Sequence, residues 1–444
     1  MDVSAPNNSS RASDIPPELL DRIFKICERY YKRYSYSYGE ILLPKSRMYP
    51  LLLVCRTWRP VAEHRLYKSI SIGSNRTVRD RNGQKMEIVG KEVCRKLCET
   101  VQGNPRIASL VRELHMGSLN VDREESELHV RLIGICKNVD EIELYGCHEA
   151  LLEDLAQVLA KADLVSLRLW HERLKSFGSD QKLFSLSTLM KLLPNWPRLE
   201  KLFVRLARVE YGPFHEAELA GSHPTPGTCA ALRNISIHGV SFNAAQLKQL
   251  ADICPNLEEI SSSIRYDCDE ALRHCVQVWS SSLKVCAIQV FAPSREGPHA
   301  FPDNTSPVVS FPLIEIRELS MPSPLLTPSA MKFLPNVEKL GFRGEYHHGM
   351  ELAKIIENGG MPRLRELNAF YNSDYREAID DRLERGIAKE TRRVCEERNI
   401  YVLDILSRND EIGPPRVNDY SELRPDSPDN DWHDGHRLGT VKYM

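Results

Sequence analysis

Histidine stands directly before glutamate three times in this chain, at His148-Glu149, His171-Glu172 and His215-Glu216. These residue types could hold a metal ion and activate a water on it. That chemistry needs a second histidine four residues after the first, so that two imidazoles meet the metal from one helix face. None of the three pairs continues to it. His347-His348 reads as part of a loop ahead of a helix, where solvation accounts for the pair better than a metal does. Cys55 could be imagined as a thioester-carrying nucleophile. The pattern instead sets it on an apolar helix face, where a thiol is buried and inert. The chain has no glycine-rich phosphate loop and no G-x-S-x-G elbow. No catalytic residue, metal ligand or cofactor is expected, and the chain does not read as an enzyme.

The stretch from Arg29 to Tyr38 interleaves tyrosines with Arg29, Lys32 and Arg33, a mixture that can stack bases and follow phosphates. A helix extension running into a loop is the preferred reading, because nothing else in the sequence builds a basic groove. The formal net charge of −2 agrees, since no global field calls for nucleic acid or a membrane surface. The 42% hydrophobic and 27% charged residues are ordinary for a globular protein. No signal-peptide pattern opens the chain, and no apolar run approaches the ~20 residues of a spanning helix. Twelve cysteines lie scattered without any C-x-x-C pair, which suits buried reduced thiols. The expected compartment is cytoplasm, nucleus or both.

The elements that could carry a function begin near the start. Ile15-Pro16-Pro17-Glu18-Leu19-Leu20-Asp21-Arg22-Ile23-Phe24 reads as a helix capped by Asp14, with prolines in the first turn, where a missing N–H costs nothing. Leu51, Val54, Cys55 and Trp58 repeat the helical spacing, and Pro60 ends that helix or starts the next. Two short helices this rich in large apolar side chains must present part of that surface to a partner. The wording P-x-E-L-L-x-x-I-F followed by L-x-V-C-R-x-W-R-x-V-A resembles an F-box, over about residues 14–65, with a longer connection than usual between the halves. The resemblance implies the role of a substrate receptor in a Skp–cullin–F-box ubiquitin ligase. It further implies docking on the Skp adaptor through Pro16, Leu19, Leu20, Ile23, Leu53, Val54 and Trp58.

From residue 107 the phrase apolar-x-x-apolar-x-apolar recurs, first as Val111, Leu114 and Met116, then from Val139, Leu164, Leu199, Leu232, Leu257, Leu283, Ile316, Val337 and Leu364. The starts lie 21 to 35 residues apart, and helical patterns fill the intervals. A strand, a turn and a helix per unit is similar to the leucine-rich-repeat plan, a solenoid with parallel strands on the concave side and helices on the convex side. The consensus Asn or Cys after the phrase is met by Cys147 and Asn372 but missing from most copies. The expected fold class is therefore an α/β repeat, with a small all-α F-box ahead of a curved solenoid over 66–406. Leu66 to Ile72 is expected as an edge strand that caps the array. Val93 to Val101 is expected as the first convex helix, with Glu377 to Arg398 and Ile400 to Leu403 as the final unit. Residues 1–13 and the acidic stretch 407–444 carry too little apolar surface to offset ordering and are expected to be disordered.

Strand side chains alternate. The residue between the last two anchors of each phrase, and the one just after them, should therefore face away from the helices. On three consecutive strands these are Glu143 and Tyr145, Arg168 and Trp170, and Phe203 and Arg205. They form the expected target-binding patch, unless the long loop Ala207–Thr228 folds over it. The repeats alone imply a protein-binding surface for an unidentified target. Two other functions share the architecture: an F-box/repeat scaffold outside any ligase, and a plain repeat-type inhibitor.

Overall fold

The computed structural model describes residues 15–27, 49–73, 75–79, 85–117, 122–170, 181–182, 184–206, 225–291, 306–323, 325–344, 346–371 and 381–406. Outside them lie Asp14, the expected disordered ends at 1–13 and 407–444, the tyrosine-rich stretch, His171-Glu172, His215-Glu216, Asn372 and residues 207–224.

The recurring phrase folds as a strand at every one of its ten copies, and twelve parallel strands line up in one sheet in chain order. They are β1 (Ser69–Ile72), β2 (Glu113–Gly117), β3 (Glu141–Tyr145), β4 (Ser166–Trp170), β5 (Lys201–Arg205) and β6 (Asn234–Phe242). The second half comprises β7 (Glu259–Arg265), β8 (Val285–Phe291), β9 (Glu318–Pro322), β10 (Lys339–Gly344), β11 (Glu366–Tyr371) and β12 (Tyr401–Leu406). The middle anchors pair directly across the sheet, from Leu114 through Ile142, Leu167, Leu202, Ile235, Ile260, Cys286, Leu319 and Leu340 to Leu367. A parallel sheet in strict chain order, with helices in most of the intervals, makes this an α/β repeat solenoid. Each unit buries its anchors only against its neighbours.

The α-helices longer than one turn are α1 (Pro17–Cys27), α2 (Trp58–Lys68), α3 (Gly90–Gly103), α4 (Arg123–Ile135), α5 (Leu152–Ala160) and α6 (Leu186–Leu192). They continue with α7 (Ala244–Ile253), α8 (Asp269–Val278), α9 (Tyr346–Glu357) and α10 (Asp381–Glu397). Their buried faces share one core with the strand anchors, among them Cys94 and Cys98 of α3, Leu132 of α4 and Leu250 of α7. Local chemistry sets several boundaries. Asp122 accepts from Glu125 N at 2.8 Å ahead of α4, and Asn243 with Gln246 forms a reciprocal capping box ahead of α7. Adjacent units are also tied by side chains. Asn138, Asn256 and Asn336, each just before a phrase, donate to Ser109 O, Ala230 O and Ile314 O of the preceding unit at 3.1, 3.1 and 2.8 Å. The buried indoles of Trp196 and Trp279 donate to Leu159 O and Cys254 O, both at 2.8 Å. The eleven cysteines from Cys55 to Cys395 are free, and all of these but Cys55 are buried.

Several expectations are corrected. The second motif half is not one helix: a single turn at Pro50–Leu53 precedes α2, and Pro60 sits in the first turn of α2. Helix α2 runs to Lys68 and passes straight into β1, so a domain limit at 65/66 falls inside a helix and the edge strand starts at Ser69. The edge placement of β1 holds, since among the described residues it pairs with β2 alone. Glu63 of α2 is buried and receives both guanidinium nitrogens of Arg106 at 2.5 and 2.9 Å, which clamps the N-terminal unit onto the array. His347 and His348 lie in α9 rather than a loop, and His348 is buried 3.3 Å from the Ser323 hydroxyl. Among the described residues no helix is long and apolar enough to cross a membrane.

Candidate protein-binding surfaces

The N-terminal unit has its own small core of Leu20, Phe24 and Ala62, against which Trp58 and Leu66 pack. Phe24 and Trp58 meet edge to face at 5.3 Å, a favoured aromatic geometry. Asp21 of α1 accepts two bonds from Arg65 of α2, and this guanidinium holds its carboxyl below the usual range. Helix α1 is apolar on two sides. Leu20 and Phe24 face inward, while Leu19, Ile23 and Ile26 leave the same helix 49%, 43% and 84% exposed. Leu53 and Val54, adjacent to each other in the turn before α2, are exposed as well. The expected docking set therefore divides. Pro16, Leu19, Ile23, Leu53 and Val54 are exposed, and Trp58 is half-buried. Leu20 is a correction: with no exposed surface, it is a core residue and has nothing to offer a partner. Ile26 was missed, although its spacing three residues beyond Ile23 was the signal.

Cys55 is also corrected. It lies in the turn between Pro50–Leu53 and α2, half-exposed, with Sγ 3.0 Å from the Thr57 hydroxyl. That contact holds the thiol below its usual pKa. Among the described residues no group of three or more His, Cys, Asp or Glu is placed to hold a metal.

The second surface lies on the sheet face opposite the helices. Strand pairing sets Glu143 beside Arg168 and Arg168 beside Phe203, and likewise Tyr145 beside Trp170 and Trp170 beside Arg205. The six expected residues are thus neighbours on three adjacent strands. Tyr145 and Trp170 stack with centroids 5.8 Å apart and planes 5° apart, and Phe203 lies 4.3 Å beyond Trp170. Glu143 is 3% exposed and serves as the hub. Its Oε1 accepts from the Tyr145 hydroxyl at 2.7 Å and from Trp170 Nε1 at 3.1 Å, while Oε2 lies 2.8 Å from His115 Nδ1. A buried carboxylate is tolerable only when its oxygens are satisfied in this way.

Two members of the patch were not foreseen. His115 precedes Glu143 in the same row, and His238 extends the aromatic ladder 5.7 Å from Phe203. His238 Nε2 lies 2.8 Å from the Ser236 hydroxyl, and burial, then Arg205, lowers its pKa. Both occupy the same phrase positions as the foreseen residues, so the register was the available signal. Two glycines shape the surface. Gly117, at φ +126°, lies where a Cβ would come within 2.7 Å of Tyr145 Cβ, and Gly239, at φ +91°, lets β6 bulge past Leu206 O.

No protein-family model matches the chain, and a search of curated proteins finds no match either.

Proposed function

We propose that this chain is the substrate-recognition subunit of a Skp–cullin–F-box ubiquitin ligase. In this reading the N-terminal helical unit seats on the Skp adaptor, and the leucine-rich-repeat-like array captures a target protein. The observation that carries the reading is the two-sided α1. Its inner side completes a core, while Leu19, Ile23 and Ile26, with Leu53 and Val54, leave an apolar surface exposed, at the motif that resembles an F-box. Covering a large apolar side chain fully gains ~1.5–3 kcal/mol. Leu19, Ile23 and Val54 are already about half covered, while Ile26 and Leu53 are mostly exposed, so covering all five gains on the order of 5–9 kcal/mol. Association costs of ~4–15 kcal/mol consume such a gain, so polar contacts and fit must supply the rest.

The array would hold the target at a fixed distance from a conjugating enzyme brought by the cullin. Catalysis is then by proximity, with the chemistry supplied by other subunits. The Arg106–Glu63 clamp and the direct passage of α2 into β1 support this, because a rigid joint fixes that distance. The test is co-elution of the purified chain with a Skp adaptor and a cullin. Leu19→Asp with Ile23→Asp should abolish the complex without lowering the melting temperature of the chain. Undiminished assembly by that variant rejects the docking surface. Loss of assembly with no stabilisation of any target in cells would favour a scaffold outside a ligase.

A further inference from the structure

The open-face patch has a directional charge pattern that the target-binding role alone does not require. Each strand places alternate residues on this face, and three rows run across β2 to β6. The first row, at the strand starts, carries Glu113 and Glu141, with Lys201 on β5. The row at the strand ends carries Tyr145, Trp170, Arg205 and His238. Arg168, in the row between, stands beside the buried Glu143 hub.

The hub carboxylate is already committed to Tyr145, Trp170 and His115. Neither Arg168 nor Arg205 has a hydrogen bond or ion pair within the described residues, whereas Arg198, Arg233 and Arg265 each reach a carboxylate. Two guanidiniums with no carboxylate partner among the described residues therefore flank a half-buried shelf of Trp170 and Phe203. Arginine and tryptophan combine directed donors with a large apolar area, which is why they dominate binding hot spots.

The geometry points to an acidic peptide segment carrying an aromatic residue as the occupant of this shelf, an inference that rests on the target-capture reading above. The aromatic residue stacks on Trp170 and Phe203, and the acidic side chains bond Arg168 and Arg205. A basic residue, if present, lies toward Glu113 and Glu141. A single-stranded nucleic acid could use the same shelf and arginines. Its continuous phosphate backbone would meet Glu113, Asp140 and Glu141 at the near edge, where Lys68 and Arg112 balance but do not outweigh them. Charge complementarity therefore favours the acidic peptide.

The test uses the full chain and a short fluorescein-labelled peptide alternating aspartate and phenylalanine, read by fluorescence anisotropy. Saturable binding is expected, weakening as salt rises. The double variant Arg168→Gln with Arg205→Gln should bind at least about ten-fold more weakly with an unchanged melting temperature. The same peptide with lysine in place of aspartate, and an oligouridine, should not compete. Absence of binding, equal binding by the double variant, or tighter binding of oligouridine than of the acidic peptide overturns the inference. Adaptor co-elution is measured on the same preparation. Retained adaptor binding without peptide binding rejects the acidic occupant alone, whereas loss of both rejects the receptor reading as well.

Discussion

The Trp170 indole donates to Glu143 Oε1 at 3.1 Å across a strand pair, and Glu143 holds that position while only 3% exposed. A carboxylate so far from water depends on its donors, and Tyr145, Trp170 and His115 supply them. The patch is therefore an organised network in which the aromatic ladder is locked by one buried anion. Glu143→Gln keeps the shape, but its NH2 group either opposes the Tyr145 and Trp170 donors or obliges His115 to change tautomer and accept at Nδ1. The expected cost is about 1–3 kcal/mol, measured as a shift in the denaturant midpoint. Unchanged stability would show that the network does not hold the ladder.

His129 of α4 gives the array a pH dependence. Neither ring nitrogen has a hydrogen-bond partner within the described residues, and the nearest carboxylate oxygen, on Glu125, lies 3.8 Å from Nε2. Burial pushes the imidazole down from 6.5 to about 4. Below the unfolded value, the unfolded chain takes up a proton that the folded chain refuses. Stability therefore falls as pH drops from about 6.5 to about 4, by on the order of 3 kcal/mol. His129→Leu should remove that slope. The stability difference between variant and parent, followed by denaturation from pH 7 to pH 4, should move in favour of the variant. A constant difference would contradict the assignment.

Sequence periodicity carried most of the array, because the anchors of each phrase repeat a spacing that only a strand buried on one face satisfies. The start of α7 is marked in the sequence itself, where Asn243 and Gln246 stand at the spacing of the capping box they form. The N-terminal unit was less legible. Leu19, Leu20, Ile23 and Phe24 are all apolar, and periodicity does not tell which of two apolar sides finds an internal partner. Leu20 therefore reads as outward-facing as readily as Leu19. Cys55 failed for a related reason: a helical spacing continued across residues that fold as a turn. His115 and His238 were legible only once the register was fixed, because neither belongs to an apolar anchor.

Ser262 occupies a position where neighbouring strands carry Ile237 and Ile288 as buried anchors. Its hydroxyl is buried and has no hydrogen-bond partner within the described residues. Removing a buried hydroxyl that makes no bond relieves its desolvation cost. Ser262→Ala should therefore raise stability by about 1 kcal/mol, seen as a higher melting temperature. A lower one would mean that the hydroxyl finds a partner in solution.

The outer side of α1, as the proposed adaptor-docking surface, carries most of the proposed function. Hydrogen–deuterium exchange of the full chain, with and without a purified Skp adaptor, tests this directly. The expected result is new protection over residues 17–27 and 50–68, with the strands from β2 onward unchanged. Protection confined to the array, or none at saturating adaptor, would contradict it.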